Sequence, residues 1–217
     1  MKKDLTELVF ILDMSGSMEH LTDDTVGGFN SLLKEHAGKE GEVLVTTYLF
    51  NSDSRMLHDR LPIREVPAMT TSDYRTGGCT ALIDALGDAI RHIVSIYRYA
   101  RKEDIPEHTI FVITTDGMEN ASHRYSAGQV RQMITHEQEK YGWEFIYLAA
   151  NIDAVETAAR YGIDRDRAIN YMADSAGTEV LYESVNFAVG AVRAGKSLRE
   201  DKSWRKNADE DFQKRRK

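Results

Sequence analysis

The hydrophobic positions of this chain follow two rhythms that take turns along its length. At 8–12 (Leu-Val-Phe-Ile-Leu), 42–50, 108–115 and 143–150, apolar and β-branched residues run almost without interruption. A strand with one wet face would alternate polar and apolar residues, so near-unbroken runs predict strands covered on both faces. Between the runs the apolar residues return every three or four positions: Leu21, Val26, Phe29, Leu32 and Leu33; then Ile90, Ile93, Val94 and Tyr97; then Val130, Met133 and Ile134; then Val180, Leu181, Val185 and Val189. That spacing predicts helices over 19–36, from about 80 through 97, over 126–141 and over 177–192. A short helix is expected at 154–161 and a short strand at 168–172. Gly38, Gly142 and Gly162 stand where three of the helices should stop. Residues 54–61 follow an Asn51-Ser52-Asp53 turn and mix apolar with charged side chains, as an edge partner in a hairpin would. Pro62 and Pro67 break the pattern, so 62–79 is expected to be a surface connection. Strands alternating with helices predict an α/β fold, a mostly parallel sheet with helices on both faces.

The polar residues draw attention at the strand ends. The first run stops in Asp13, with Ser15 and Ser17 at alternate positions and Gly16 between the serines. The run at 108–115 stops in the same way, in Asp116-Gly117. A third stretch, Gly77-Gly78-Cys79-Thr80, frees the backbone just before a threonine at a helix start. Asp, Ser and Thr are ordinary turn and capping residues, and Thr80 is a candidate cap, so each stretch alone leaves a structural role open. All three, however, fall on the edge beyond the carboxyl ends of the strands, where open α/β sheets bind ligands. Carboxylates and hydroxyls gathered there make an oxygen-rich site suited to a hard divalent cation such as Mg²⁺, which takes few protein ligands and keeps several waters.

In order, Phe-Ile-Leu-Asp13-Met-Ser15-Gly-Ser17-Met, Gly-Gly-Cys-Thr80-Ala-Leu-Ile-Asp84-Ala and Ile-Thr-Thr-Asp116-Gly resemble the von Willebrand factor A domain with an intact metal-ion-dependent adhesion site. The resemblance covers about residues 5–192. It implies a Rossmann-like, doubly wound, mostly parallel central sheet with one antiparallel edge strand, which 54–61 would supply. It also implies Mg²⁺ or Mn²⁺ as cofactor, with Ser15, Ser17 and Thr80 giving hydroxyl ligands and Asp13 and Asp116 binding directly or through water. The partner implied is a protein presenting an exposed Asp or Glu, which would complete the coordination of an ion left largely unneutralised by its hydroxyl ligands. The short chain resembles stand-alone bacterial members of that family. The domain is expected to span 1–192, with 193–217 a charged tail, helical or disordered, that Trp204 and Phe212 could anchor.

Bulk composition narrows the rest. A net charge of −7 and pI near 5.5 argue against a nucleic-acid or membrane-surface partner, both of which need a positive field. The single cysteine, Cys79, excludes an intramolecular disulfide, fits a reducing compartment and is expected to be a small core residue. No signal-like leader and no run near the ~20 apolar residues of a membrane span is present, so the expected location is the cytoplasm. The expectation is a binding protein and not an enzyme. The alternative is a metal-dependent, phosphatase-like hydrolase using Asp13 and Asp116, since an aspartate opens the same loop in haloacid-dehalogenase phosphatases. That family carries a second aspartate two residues on, where this chain has Ser15. His123 is the one histidine near the Asp116 loop; Glu119 and Asn120 are rim candidates, and Asp84 could hold a loop amide or hydroxyl.

Overall fold

The computed structural model describes residues 1–151 and 153–216. Lys217, the last residue of the expected tail, lies outside the described residues. The chain runs β1 (Lys2–Asp13), α1 (Thr22–Ala37), β2 (Glu42–Phe50), β3 (Ser54–Pro62), α2 (Leu82–Tyr99), β4 (Pro106–Thr115), α3 (Ala127–Tyr141), β5 (Glu144–Ala149), α4 (Ala154–Arg160), β6 (Ala168–Asn170), α5 (Ser175–Arg193) and α6 (Lys206–Arg215). The six strands form one sheet in the order β3-β2-β1-β4-β5-β6, parallel except for the antiparallel β2–β3 edge pair. The doubly wound α/β architecture expected from the alternation of runs is therefore the observed one.

β1 shows why unbroken hydrophobicity was required. Leu8, Phe10 and Leu12 point into one core with Phe29 of α1 and Val185 and Val189 of α5, while Val9 and Ile11 point into the other with Leu86 and Ile90 of α2 and Ile134 of α3. Both faces are dry, so alternation has no polar partner to show. The helix ends follow local chemistry. Ser126 and Gln129 form a reciprocal capping box at the start of α3, and Gly142, with φ of 67°, closes it in the left-handed conformation.

Three expectations change. Between β1 and α1 the chain makes a 3-10 turn, Gly16–Leu21, and the α-helix begins only at Thr22. The 62–79 segment is not a surface connection throughout, because Ile63, Met69 and Tyr74 are buried in the core, with Tyr74 only 1% exposed. Its prolines end regular structure without removing the segment from the interior. Cys79 is exposed and not a core residue, since the glycine turn that precedes it faces outward on the site edge. The segment after α5 is helical and packed: Leu198, Trp204 and Ala208 sit in the core beside α5, and Phe212 is half-buried. Among the described residues no helix is long and apolar enough to cross a membrane.

Candidate functional site

Neighbouring strands on the two sides of β1 are β2 and β4, so the direction of winding reverses between β1 and β4. The crevice at such a reversal is where a doubly wound sheet opens to ligands. Asp13 ends β1 and Asp116 directly follows β4, one on each side of that crevice. Two backbone hydrogen bonds bring in the third stretch: Gly16 N–H donates to the Gly78 carbonyl at 3.2 Å, and Gly77 N–H to the Met14 carbonyl at 2.9 Å. Gly78 has φ of 76°, and a Cβ there would stand 2.7 Å from Ser52 Oγ, so only glycine lets this loop lie down. Thr80 follows. Its N–H donates to Asn120 Oδ1 at 2.9 Å and its carbonyl accepts the Asn120 N–H at 3.0 Å, which ties it to the loop after β4.

The oxygens converge. Ser15 Oγ and Ser17 Oγ are 3.1 Å apart, and the Ser17 hydroxyl donates to Asp116 Oδ1 at 2.5 Å. Gly117 leaves open the space beside Ser17 and Thr80, where a Cβ would meet Ser17 Oγ at 3.5 Å and Thr80 Oγ1 at 3.6 Å. Asp13, Ser15, Thr80 and Asp116 are all buried, and Ser17 is the exposed member. All five candidate residues thus stand at one point of the sheet edge.

Support comes from residues that a strand or loop pattern does not single out. Asp13 Oδ1 accepts the Ser15 N–H at 2.7 Å and Oδ2 accepts the Thr115 hydroxyl at 2.6 Å, while the Tyr74 hydroxyl donates to the Asp13 carbonyl. Burial raises the Asp13 carboxyl to about 6, against the lowering effect of Thr115 and Ser15. Hydrogen bonds from the loop after β4 clamp the start of α2. Glu119 accepts the N–H groups of Ile83, Ala121 and Ser122 at 2.7–2.9 Å, and Ser122 Oγ accepts that of Asp84 at 3.0 Å. Asp84 in turn accepts the N–H groups of His123, Arg124 and Tyr125 at 2.9–3.0 Å. Burial pushes the Asp84 carboxyl up, but those three amides and the Arg124 guanidinium outweigh it and hold it low. Thr80 makes no side-chain cap on α2; Glu119 satisfies that helix end instead. The His123 ring is exposed and reaches only 3.6 Å from Asp84.

The donor set has the chemistry of a hard-cation site. Asp116 Oδ2 is buried without a hydrogen-bond partner, an arrangement that costs free energy unless a positive group meets it. It lies beside hydroxyl oxygens, which are hard ligands. Among the described residues no three His, Cys, Asp or Glu side chains cluster as a metal site, so the gathered set is two carboxylates with three hydroxyls. That set fits Mg²⁺ or Mn²⁺ better than a softer ion.

No family model matches the sequence, and no curated protein matches it. Solved structures do. A structure of proximal thread matrix protein 1 from the mussel byssus with a zinc-occupied MIDAS motif matches with a TM-score of 0.59 at 12% identity, over 87% of this chain and 47% of that one. A von Willebrand factor type A protein from Catenulispora acidiphila gives 0.55 at 13% identity, over 85% of this chain and 42% of its own. The vWF domain of the type V pili tip protein Mfa5 from Porphyromonas gingivalis gives 0.62 at 8%, over 86% and 95%. The chain spans about half the length of the first two. Together with the strand order and the antiparallel edge pair, these likenesses establish a von Willebrand factor A-type α/β fold.

Proposed function

We propose that this chain is a metal-dependent protein-interaction module of the adhesion-site type, akin to stand-alone bacterial members of that family. Ser15, Ser17 and Thr80 would hold Mg²⁺ or Mn²⁺, with Asp13 and Asp116 binding directly or through water. The observation that carries this reading is the buried, unpartnered Asp116 Oδ2 beside a cluster of hydroxyls. When bound, the ion supplies a strong local positive charge that an acidic side chain of a partner can meet. The chain's own residues shape that encounter. Thr115 and the Ser15 N–H hold Asp13, Asn120 holds Thr80, and exposed Ser17 stands at the entrance. Both Asp13 carboxylate oxygens already accept hydrogen bonds, which favours a positioned ligand over a free nucleophile and so binding over hydrolysis.

The test is capture of partners from lysate in Mg²⁺ and in chelator, with Thr80→Ala as the variant. A partner kept only with metal and lost with Thr80→Ala supports the proposal. Partners indifferent to both overturn it. In parallel, Mg²⁺ at about 100 times its Kd should add roughly 2.7 kcal/mol of stability. Asp13→Ala should abolish that gain, and a gain that survives would place the metal elsewhere.

A further inference from the structure

α1 and α5 each follow a strand of the parallel set and start at the same edge of the sheet, so they run side by side in one direction. Three contacts fix their register. The Ser175 hydroxyl donates to Asp24 Oδ2 at 2.8 Å near the helix starts, Asn186 Nδ2 donates to Glu35 further along, and Arg193 Nη1 meets His36 Nδ1 at 2.8 Å by the ends. Between the helices lies a groove of about 460 Å³, within the range of small-molecule sites, roughly 300–1,000 Å³. Its lining is of one sign: Asp23, Asp24, Glu35, Glu179 and Glu183, with no Lys, Arg or His. Lys39 reaches Glu35 at 2.7 Å from the next turn of α1 and neutralises that end. Among the described residues the other four carboxylates make no ion pair.

These charges do not converge on a point. Asp24 and Glu35 stand on one helix at a separation of roughly 16 Å, from a rise of 1.5 Å per residue, and among the described residues no group of three His, Cys, Asp or Glu side chains could hold a metal ion. Charge spread along a groove is met by separated positive groups on one elongated molecule. Buried acceptors on α5 ask for the same thing. Thr178 lines the groove, is only 3% exposed, and its Oγ1 has no hydrogen-bond partner. Asn186 Oδ1 is likewise buried without a partner, its NH₂ being spent on Glu35. An amide oxygen can only accept, so what satisfies it is a donor. Glycine is disfavoured inside a helix, yet Gly27 holds a lining position where a Cβ would meet nothing within 4 Å; its effect is to keep the floor of the groove open. We propose that this groove binds a linear polyamine, a flexible chain with two or more ammonium groups. The ammonium groups lie on Asp23, Asp24, Glu179 and Glu183 and on the Thr178 and Asn186 oxygens, through charge-assisted hydrogen bonds. The methylenes lie along Leu32 and the Tyr182 ring, which also line it. None of the five candidate metal ligands borders the groove, so the two sites are separate.

The probe is spermidine, titrated into the full chain and followed by amide chemical shifts. The controls are n-butylammonium, which carries one charge on a similar chain, and Mg²⁺. Saturable shifts confined to 22–36 and 175–187 are expected with spermidine, and neither control should reproduce them along α5 at the same concentration. Glu179→Gln combined with Glu183→Gln should weaken binding about fivefold, the loss that goes with two exposed ion pairs. Gly27→Leu keeps every carboxylate, suits a helix and fills the floor, and it should abolish the response. Absence of saturation, shifts spread over the whole acidic surface, equal shifts from Mg²⁺ along α5, or unchanged affinity in both variants would overturn the proposal. Tighter binding of a trilysine peptide than of spermidine would also overturn it and assign the groove to a basic protein segment.

Discussion

Asp13 is fixed at three atoms by three different parts of the chain, through the Ser15 amide, the Thr115 hydroxyl and the Tyr74 hydroxyl. Thr115→Val keeps the β-branched shape that the strand needs and removes only the hydroxyl. The metal-free protein should lose about 2 kcal/mol in urea unfolding, because a buried carboxylate oxygen is left without its donor. Mg²⁺ affinity should fall as well, since Asp13 would no longer be held in place. A second buried carboxylate gives a pH prediction remote from the site. Glu7, on β1, is fully buried and accepts from Arg60 Nε at 2.7 Å, yet burial outweighs that partner and raises it to about 7. A carboxyl raised in the folded state contributes stability that is fully present below its unfolded value near 4.5 and is lost as pH rises through about 7. Between pH 5.5 and 8 this one group should remove on the order of 2 kcal/mol. In Glu7→Gln that part of the decline should vanish, and urea titrations of both proteins at the two pH values would decide it. An unchanged slope would mean that Arg60 fully compensates the burial.

At the scale of elements, the site depends on how the loop after β4 is bound to the start of α2. Asp84 accepts three consecutive loop amides, and Glu119 returns the favour to Ile83 at the helix end. Asp84→Ala would remove the shared acceptor of three part-buried loop amides at once, with an expected cost of about 2 kcal/mol and fast amide exchange over 117–125, although Asp84 is not among the proposed metal ligands. Protection in that loop equal to wild type would refute the clamp. These supports mark the limit of what was legible beforehand. Strands and helices were readable because burial on both faces leaves a local record in the sequence, as in 8–12 of β1 and in Val130 and Ile134 of α3. The strand-end positions of Asp13 and Asp116 were readable for the same reason, because each closes an apolar run. Thr115 was not, since a threonine in a strand is ordinary and its use comes from Asp13, 102 positions away. Tyr74 was hidden by prolines that suggested a surface loop, and Glu119 and Asn120 passed for rim because their partners, Ile83 and Thr80, lie on another element. Cys79 misled in the opposite direction: its apolar character suggested the core, but the backbone geometry set by Gly77 and Gly78 turns it outward.

The whole molecule carries a net charge of −7, and this bears on how a partner with an acidic contact group would arrive. Beyond a Debye length, about 10 Å at 0.1 M salt, such a partner meets the field of the entire acidic body and not that of one ion. The local attraction at the site is short-ranged and partly desolvated, so salt screens it less than it screens the long-range repulsion. For an acidic partner captured in Mg²⁺, raising ionic strength from roughly 20 to 150 mM at constant Mg²⁺ should therefore speed association and leave dissociation nearly unchanged, the reverse of the usual charge-steered complex. Surface-plasmon measurements at the two ionic strengths separate the rates. An association rate that falls with salt would show that a basic patch steers the partner, and the contact would then have to be sought away from the Asp13–Asp116 crevice.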